Sequence, residues 1–524
     1  MNETLPTTDD APSGTPQSRV FCTKHLRTNI GARAIRGAAS IGLGQGSQFL
    51  ISMVSTGILG RMLTPEDFGL VAMTAVITSF LIIFKDAGLT SATIQREHLT
   101  HEQVSTLFWI NTASGLLIAG LMALSAPLVA AVFGDPRLVE ITRVVAITFI
   151  FGGLTVQHQA LLRRQMRFKS LAARGVFSSL VGAIVGISMA ASGFGYWALV
   201  GMPVSSSATN MVAVWLAVRW MPHRPRWAPD TLHMLKFGSD ILICDIATFA
   251  SRKADSLLIG WFWGPIALGF YDKAYTLLLA PVKQINRPLS AVFVPTLSRL
   301  TNEPEVGSRY FLHALESMAS ITVPLILAAA IFADELVLLW LGPQWTEAAG
   351  IFRLLALAAI VGAVTTPIGW LQVSAGETRR YRQLGTITAL VLVSAFAIGL
   401  PHGPRGVAIA YSIAVTLLAV PMSYLALRDL PVNLGDIART LAVPIAAGLP
   451  AAALGWATEN LLPLPLPKMA RAAVGLAAFG GSYALILLVG FGRFSRFRLA
   501  FDSLRARRGA KPGKMAASGA GTVP

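Results

Sequence analysis

The amino-acid sequence predicts an all-α integral membrane protein. Of its 524 residues, 54% are hydrophobic and only 13% are charged, whereas about 25% of the residues in a soluble domain are charged. The mean hydropathy is +0.60, and apolar stretches recur along most of the chain. A soluble protein of this size would need more polar surface, so these three observations favour a chain that lies in lipid.

Each crossing of the bilayer by a helix needs about 20 predominantly apolar residues. By that measure we predict about fourteen transmembrane helices. They are 36–62, 68–88, 104–133, 138–161, 171–192, 196–218, 236–262, 265–295, 308–333, 348–374, 383–400, 405–427, 437–458 and 469–491. The weakest candidate is 265–295, which carries several charges and, after its first residue, the prolines Pro281, Pro288 and Pro295. The last two helices are separated by the breaker PLPLP at 463–467.

The distribution of Lys and Arg predicts the orientation of these helices. When the links are assigned to alternate sides of the membrane, 30 of the 43 basic residues fall on the side of the N-terminus and five on the other. Basic residues accumulate in cytoplasmic links. We therefore expect both termini and the link 221–236 to be cytoplasmic.

Two internal repeats divide the chain at the link 221–236. At an offset of 200 residues, Gly60, Pro65 and Gly69 match Gly260, Pro265 and Gly269, and at an offset of 210, Gly193 matches Gly403. Each repeat holds six helices, so the two halves begin on the same side and form a parallel repeat. The predicted organisation is a disordered tail (1–30), an N-terminal lobe (31–220), the link (221–236), a C-terminal lobe (237–430), two additional helices (431–492) and a basic tail (493–524).

Several classes of function are disfavoured by the composition and the motifs. The net charge of +17 is spread over links between apolar stretches, which does not fit a nucleic-acid-binding face. Two cysteines and scattered histidines have no metal-ligand spacing. The sequence contains no P-loop and no nucleophile elbow, so we predict no cofactor, no metal and no catalytic residues.

Charged residues inside membrane helices are costly and often functional. The segment 236–262 contains Arg252, Lys253 and Asp255, and 265–295 adds Lys273, Lys283 and Arg287. We interpret these six residues as candidates for a cleft that meets an anionic ligand. Structural ion pairs within the helix bundle are the alternative, and both interpretations can hold together.

Three amide side chains inside apolar helices are further candidates for ligand binding. Gln45 and Gln48 lie in 36–62 and Asn111 lies in 104–133. Such amides could donate hydrogen bonds to sugar hydroxyls. Hydrogen bonds between neighbouring helices are the alternative role.

One stretch of the second half resembles a known family. Residues 255–281, DSLLIGWFWGPIALGFYDKAYTLLLAP, are similar to polysaccharide flippases of the multidrug/oligosaccharidyl-lipid/polysaccharide exporter superfamily, most of all to the colanic acid exporter or lipopolysaccharide biosynthesis branch. TPEDFGL at 64–70, DAGLTSATIQRE at 86–97 and GYWALV at 195–200 resemble the first half of the same family. The resemblance implies two six-helix lobes plus two helices, and an undecaprenyl-diphosphate-linked oligosaccharide as substrate.

The leading hypothesis is therefore a flippase of the bacterial inner membrane. It would move a polyprenyl-diphosphate-linked oligosaccharide to the outer leaflet for surface polysaccharide or lipopolysaccharide assembly, by alternating access between the lobes. The alternative is a cation-coupled multidrug exporter of the same fold, for which an acidic cleft is expected. A membrane enzyme fits less well, because the links are short and no catalytic set is present. The expected partners are the lipid-linked substrate and the bilayer, with the choice of proton or sodium as coupling ion left open.

Overall fold

The computed structural model describes residues 30–86, 93, 99–224, 231–461 and 466–491. Regular secondary structure in these ranges is helical throughout. The first half of the chain folds into six long helices that follow the first six predicted spans. They are α1 (Ile30–Met62), α2 (Pro65–Asp86), α3 (His101–Phe133), α4 (Arg137–Arg164), α5 (Phe168–Ala191) and α6 (Trp197–Val218).

The second half of the chain continues with eight helical segments of unequal length. They are α7 (Thr231–Arg299), α8 (Pro304–Ile331), α9 (Ala333–Trp340), α10 (Thr346–Ser374), α11 (Thr378–Gly399), α12 (Gly403–Leu427), α13 (Leu434–Asn460) and α14 (Lys468–Leu485). Ten segments of the described chain are long and apolar enough to cross a membrane, by length and composition.

Helix α7 contains the break that the sequence predicts between 236–262 and 265–295. Gly264 has φ of 76° and ψ of −172°, a conformation that only glycine adopts without strain. The break divides α7 into 231–263 and 265–299, and the second part stays helical through Pro281, Pro288 and Pro295. Counting these parts separately, the described residues form fourteen long helices, so the predicted all-α membrane fold is confirmed.

The short helix α9 is a feature that the sequence does not predict. Its eight residues and the 3₁₀ turn Pro343–Trp345 lie where we expected only a link between two spans. The segment is held by hydrogen bonds to α1, because the Gln344 side-chain amide donates to the carbonyls of Gly60 and Leu63 at 2.6 and 2.7 Å. The Trp340 indole donates to Met53 O at 3.0 Å. These partners are more than 280 residues away in the chain, so local sequence rules do not reveal them.

Two helices begin with a capping box. Thr100 and Gln103 form a capping box before α3, in which each side chain accepts from the other residue's backbone N–H. Asn433 and Asp436 do the same before α13. Such boxes satisfy N–H groups that a helix leaves without intrahelical partners. They explain why these two helices begin at their observed residues.

The first of two compact units comprises the described parts of Met1–Pro288 together with Leu336–Ala358 and Gly385–Leu417. Inside it, the repeat is visible as a reciprocal contact. A Cβ on Gly69 would lie 1.8 Å from Pro265 O, and a Cβ on Gly269 would lie 2.0 Å from Pro65 O. Each repeat thus places its glycine against the proline carbonyl of the other, as small residues allow in membrane helices.

The second compact unit comprises Leu289–Glu335, Ala359–Leu384 and the described parts of Leu418–Pro524. Helices α13 and α14 approach closely, since a Cβ on Gly475 would lie 2.8 Å from Gly455 O. The Tyr483 hydroxyl donates to Ser320 O on α8 at 2.9 Å, and Lys468 pairs with Glu335 at 2.9 Å. The two C-terminal helices are therefore packed onto α8. The lobe boundaries predicted from the sequence stay a prediction.

Candidate functional site

The candidate site is a polar cavity of about 600 Å³ in the first unit, between α1, α4, α5 and α6. We call it the cationic cavity, because the described residues that line it include two arginines and no acidic residue. The remaining polar lining consists of amides and hydroxyls. The polar side chains are Gln45, Gln48, Gln159, Arg163, Arg174, Ser178, Ser179, Ser206, Ser207 and Asn210.

Arg174 is the half-buried cation of this cavity. Its guanidinium Nη1 donates to the Asn210 side-chain oxygen across the gap between α5 and α6. Its Nε has no hydrogen-bond partner among the described residues. A guanidinium offers five N–H donors in a fixed fork, so Arg174 keeps donors available for a ligand after Asn210 has oriented the side chain.

Arg163 supplies the second positive charge from the last turn of α4. It is exposed, and it lies close enough to Arg174 for the two charges to repel each other. Two cations that repel each other without an acidic neighbour in the lining are stabilised by an anion that binds between them. Planar guanidinium groups match the geometry of phosphate and carboxylate oxygens.

The amide Gln48 is placed by a close contact between α1 and α5. Its Nε2 donates to Gly44 O at 3.2 Å, and a Cβ on Gly175 would come within 2.8 Å of that nitrogen. One turn earlier, a Cβ on Gly44 would lie 2.6 Å from Ala172 Cβ. The small residues on both helices therefore leave room for the Gln48 amide between α1 and α5, next to the cavity.

The hydroxyl side of the cavity comes from α5 and α6. Gly182 of α5 packs against Met202 and Ser206 of α6, where a Cβ would meet Met202 O at 2.8 Å. The Ser178 hydroxyl donates to Arg174 O at 2.7 Å within its own helix. A serine that donates inside the helix still has lone pairs to accept a hydrogen bond from a sugar hydroxyl. Guanidinium groups that can bind an anion and groups that can form hydrogen bonds with hydroxyls thus line one space.

Two of the residues singled out from the sequence line this cavity. Gln45 and Gln48 are both in the lining. Asn111 is 1% exposed and its side-chain atoms have no hydrogen-bond partner among the described residues. Asn111 lies on α3 where that helix meets Gly153 of α4, and it does not line the cavity.

The charged residues of α7 differ in how deeply they are buried. Asp255 is 6% exposed and accepts from the Ser256 N–H at 2.7 Å and from the Tyr271 hydroxyl at 3.0 Å. Lys253 is half-buried. The side chains of Arg252 and Arg287 lie outside the described residues.

Lys273 and Lys283 each contact an aromatic ring. Lys273 pairs with Asp272 at 3.2 Å and lies 4.6 Å from the centroid of the Phe68 ring. Lys283 is exposed, and its Nζ lies 5.7 Å from the centroid of the Tyr275 ring. Next to it, the Gln284 amide reaches Gln45 O at 3.5 Å. The second part of α7 therefore passes beside α1 at the level of the cationic cavity.

The two arginines of the cavity were not among the residues predicted from the sequence. We counted both among the basic residues of the cytoplasmic side, because Arg163 lies in the link after 138–161 and Arg174 lies near the start of the span 171–192. A signal was present, because Arg174 and Ser178 share one helix face at a spacing of four. The polar run SSSATN at 205–210 interrupts an otherwise apolar span. Side chains from four helices meet here, and that convergence is not visible in any single segment.

No group of three or more His, Cys, Asp or Glu residues that could hold a metal ion occurs in the part of the chain that the structure describes. The polar groups that line the cationic cavity are guanidinium, amide and hydroxyl groups. Such groups can bind and orient a ligand through hydrogen bonds.

The fold and the cavity together define a multi-span helical membrane protein built from two related halves. Comparison with protein-family models then identifies the family. The model described as "Polysaccharide biosynthesis protein" matches residues 58–350, more than half of the chain. The chain belongs to this polysaccharide biosynthesis protein family, which confirms the resemblance found in the sequence.

Three curated relatives carry related descriptions. The chain is 27% identical over 341 residues to the teichuronic acid biosynthesis protein TuaB of Bacillus subtilis, covering 63% of this chain and 68% of the relative. It is 28% identical over 313 residues to the succinoglycan biosynthesis transport protein ExoT of Rhizobium meliloti, covering 59% and 63%. It is 22% identical over 355 residues to the lipopolysaccharide biosynthesis protein WzxC of Escherichia coli, covering 67% and 71%.

Solved structures show the fold. The lipid II flippase MurJ, in an inward closed conformation, matches with a TM-score of 0.69 at 12% identity, covering 86% of this chain and 99% of that chain. An inward-facing multidrug resistance transporter of the MATE family matches with a TM-score of 0.59 at 14% identity, covering 75% and 95%. The predicted arrangement of two pseudo-symmetric six-helix lobes with two further helices is in agreement with these folds.

Proposed function

We propose that the protein flips a polyprenyl-diphosphate-linked oligosaccharide from the inner to the outer leaflet of the bacterial inner membrane. The product would enter the assembly of a surface polysaccharide or lipopolysaccharide. The single observation that carries this proposal is the cationic cavity, in which Arg163 and Arg174 are combined with amides and hydroxyls and with no acidic residue. The family and the descriptions of the three relatives support it.

In this proposal the two arginines hold the diphosphate and the other polar groups hold the sugars. Charge-assisted hydrogen bonds to phosphate oxygens are about twice as strong as neutral ones. Gln45, Gln48 and Asn210 can donate or accept at sugar hydroxyls through their amides. Arg252, Lys253 and Arg287 stay candidates for the same anion. The protein acts by binding and releasing the lipid-linked saccharide, so we propose a transporter and not an enzyme.

Transport would proceed by alternating access between the lobes 31–220 and 237–430. Both termini and the link 221–236 would face the cytoplasm, where the charge distribution places them. The cationic cavity, at the end of α4 and the start of α5, would then load the substrate from the inner leaflet. A proton or a sodium ion would drive the cycle.

A multidrug exporter of the same fold is the rival function, since a MATE-family transporter shares the fold. A cationic drug would need an acidic site to offset its charge. The lining of the cationic cavity has the opposite sign. The charge of this cavity therefore favours the anionic lipid-linked saccharide over a cationic drug.

The double substitution Arg163→Gln with Arg174→Gln tests the proposed function. Each lost hydrogen bond to a charged group costs about 1.5–3 kcal/mol, so export should fall by at least about tenfold. The measurements are the amount of surface polysaccharide and the lipid-linked oligosaccharide retained on the inner leaflet. Lys169→Gln is the matched control, because it removes an exposed cation from the start of the same helix outside the cavity.

The proposal is wrong if the double variant exports normally. It is also wrong if deletion of the protein leaves surface polysaccharide unchanged and raises sensitivity to cationic drugs instead, because that result assigns the drug-export function.

A further inference from the structure

A second cavity, of about 400 Å³, lies in the first unit around the break in α7. We call it the tryptophan pocket. Its volume is within the range of roughly 300–1,000 Å³ that is common for small-ligand sites. The residues that matter for its chemistry are Trp263, Phe270, Glu347, His402 and Arg405. None of them lines the cationic cavity.

Trp263 is held in a fixed orientation at this pocket. Its indole Nε1 donates to Leu400 O at 2.7 Å. A Cβ on Gly403 would lie 3.8 and 3.9 Å from two ring carbons, so the ring packs against this glycine. Even so, Trp263 is 46% exposed. A ring whose polar atom is already satisfied presents only apolar surface to a ligand.

The rim beside the indole is polar and carries balanced charges. Arg405 Nη2 lies 2.7 Å from Glu347 Oε2, and both side chains are more than half exposed. Exposure leaves most of their donors and acceptors available. Because the two charges offset each other, the rim favours a neutral ligand with hydroxyl groups over a free phosphate.

The internal repeat provides a comparison for Trp263. The equivalent position at an offset of 200 is Leu63, which is 4% exposed. The two glycines Gly193 and Gly403, equivalent at an offset of 210, both have a positive φ, of 81° and 73°. The first repeat therefore forms the equivalent helix end with a buried leucine where the second has an exposed tryptophan. This difference between the repeats favours a role for Trp263 in binding a ligand.

We propose that the tryptophan pocket binds a neutral sugar ring of the lipid-linked saccharide after it has crossed the membrane. The apolar face of the ring would stack on the Trp263 indole, and its hydroxyls would bond Glu347, His402 and Arg405. The charge distribution places residue 264 on the outer side, so the pocket is a docking site at the exit. This inference rests on the proposed function.

Binding is tested with simple glycosides on the full chain in nanodiscs of phosphatidylethanolamine and phosphatidylglycerol. The probes are the methyl glycosides of glucose, galactose, mannose and N-acetylglucosamine, and the readout is saturation-transfer NMR. We expect transfer to at least one glycoside, reduced about fivefold or more in Trp263→Ala and partly kept in Trp263→Phe. Trp261→Ala is the matched control, because Trp261 is 57% exposed two residues away and does not line the pocket.

The proposal is overturned if no glycoside shows transfer to the unmodified protein. It is also overturned if Trp261→Ala and Trp263→Ala behave alike, since both would then be anchors at the membrane interface. His402→Ala provides a second variant that leaves the indole in place, and it should also weaken binding. The glycoside experiment measures binding and does not depend on transport. Normal export by the Arg163 and Arg174 variant would therefore contradict the proposed function without changing the result for glycoside binding.

Discussion

At the scale of single residues, glycines next to polar side chains determine how those side chains are oriented in the candidate site. Gln48 lies flat beside the cationic cavity because Gly175 has no side chain to displace it. Arg174 points at Asn210 because α5 and α6 meet through Gly182. The glycines therefore set the positions of the polar side chains that line the cationic cavity.

The substitution Gly175→Ala tests this relation. The added methyl would displace the end of the Gln48 side chain, which is flexible, so the fold should not be destabilised. A hydrogen bond to the substrate worth about 0.5–1.5 kcal/mol would be lost, reducing the export rate roughly two- to tenfold. The rate of polysaccharide appearance and the melting temperature are measured together.

Gly120→Ala is the control for this experiment. It makes the same chemical change in α3, at an exposed glycine with open space around it. If Gly175→Ala exports at the rate of Gly120→Ala, the position of Gln48 does not matter for transport.

At the scale of helices, the two repeats meet through backbone contacts that leave no room for side chains. Gly69 and Gly269 each lie against a proline carbonyl of the other repeat. The same region is tied by Gln344 and Trp345, whose side chains both donate to Gly60 O. Helix ends and their connections thus hold this part of the first unit together.

We expect Gly69→Ala and Gly269→Ala each to destabilise the protein severely. The obstacle is a backbone carbonyl, which cannot rotate away as a side chain can. Overpacking of this kind costs about 1–3 kcal/mol or more, and the melting temperature in detergent should fall accordingly. Equal losses at the two positions would support the reciprocal contact, whereas a melting temperature like that of Gly120→Ala would contradict it.

At the scale of the whole molecule, we predict the orientation in the membrane from charge and not from packing. Links rich in Lys and Arg stay in the cytoplasm because moving them across the bilayer is unfavourable. The same rule predicts that the cationic cavity faces the inner leaflet and the tryptophan pocket the outer one. The loading and release sites that we propose would then lie on opposite sides, as alternating access requires.

Reporter fusions at His223 and at Gly264 test this orientation. We expect the His223 fusion to report the cytoplasm and the Gly264 fusion to report the outer side. A fusion at Gly193, which precedes the sixth helix, should agree with Gly264. A cytoplasmic signal at Gly264 would show that a predicted span is missing and would put the tryptophan pocket on the wrong side of the membrane.

The number of long helices, the break at Gly264 and the family were all accessible from the sequence. Span length, glycine and proline positions and repeated motifs are local properties of the chain, and the bilayer imposes a helix on each long apolar segment. Gln45 and Gln48 could also be singled out from the sequence, because polar amides are unusual inside an apolar span.

The composition of the candidate site was decided only by the tertiary structure. Arg163 lies in a predicted link and Arg174 near the start of a predicted span, yet both line one cavity with serines and amides from four helices. Asn111 reads as a candidate, yet it is buried between α3 and α4 and does not line the cavity. In lipid, helix association is set by small-residue contacts between distant segments, so which polar faces converge depends on the packing of the whole bundle.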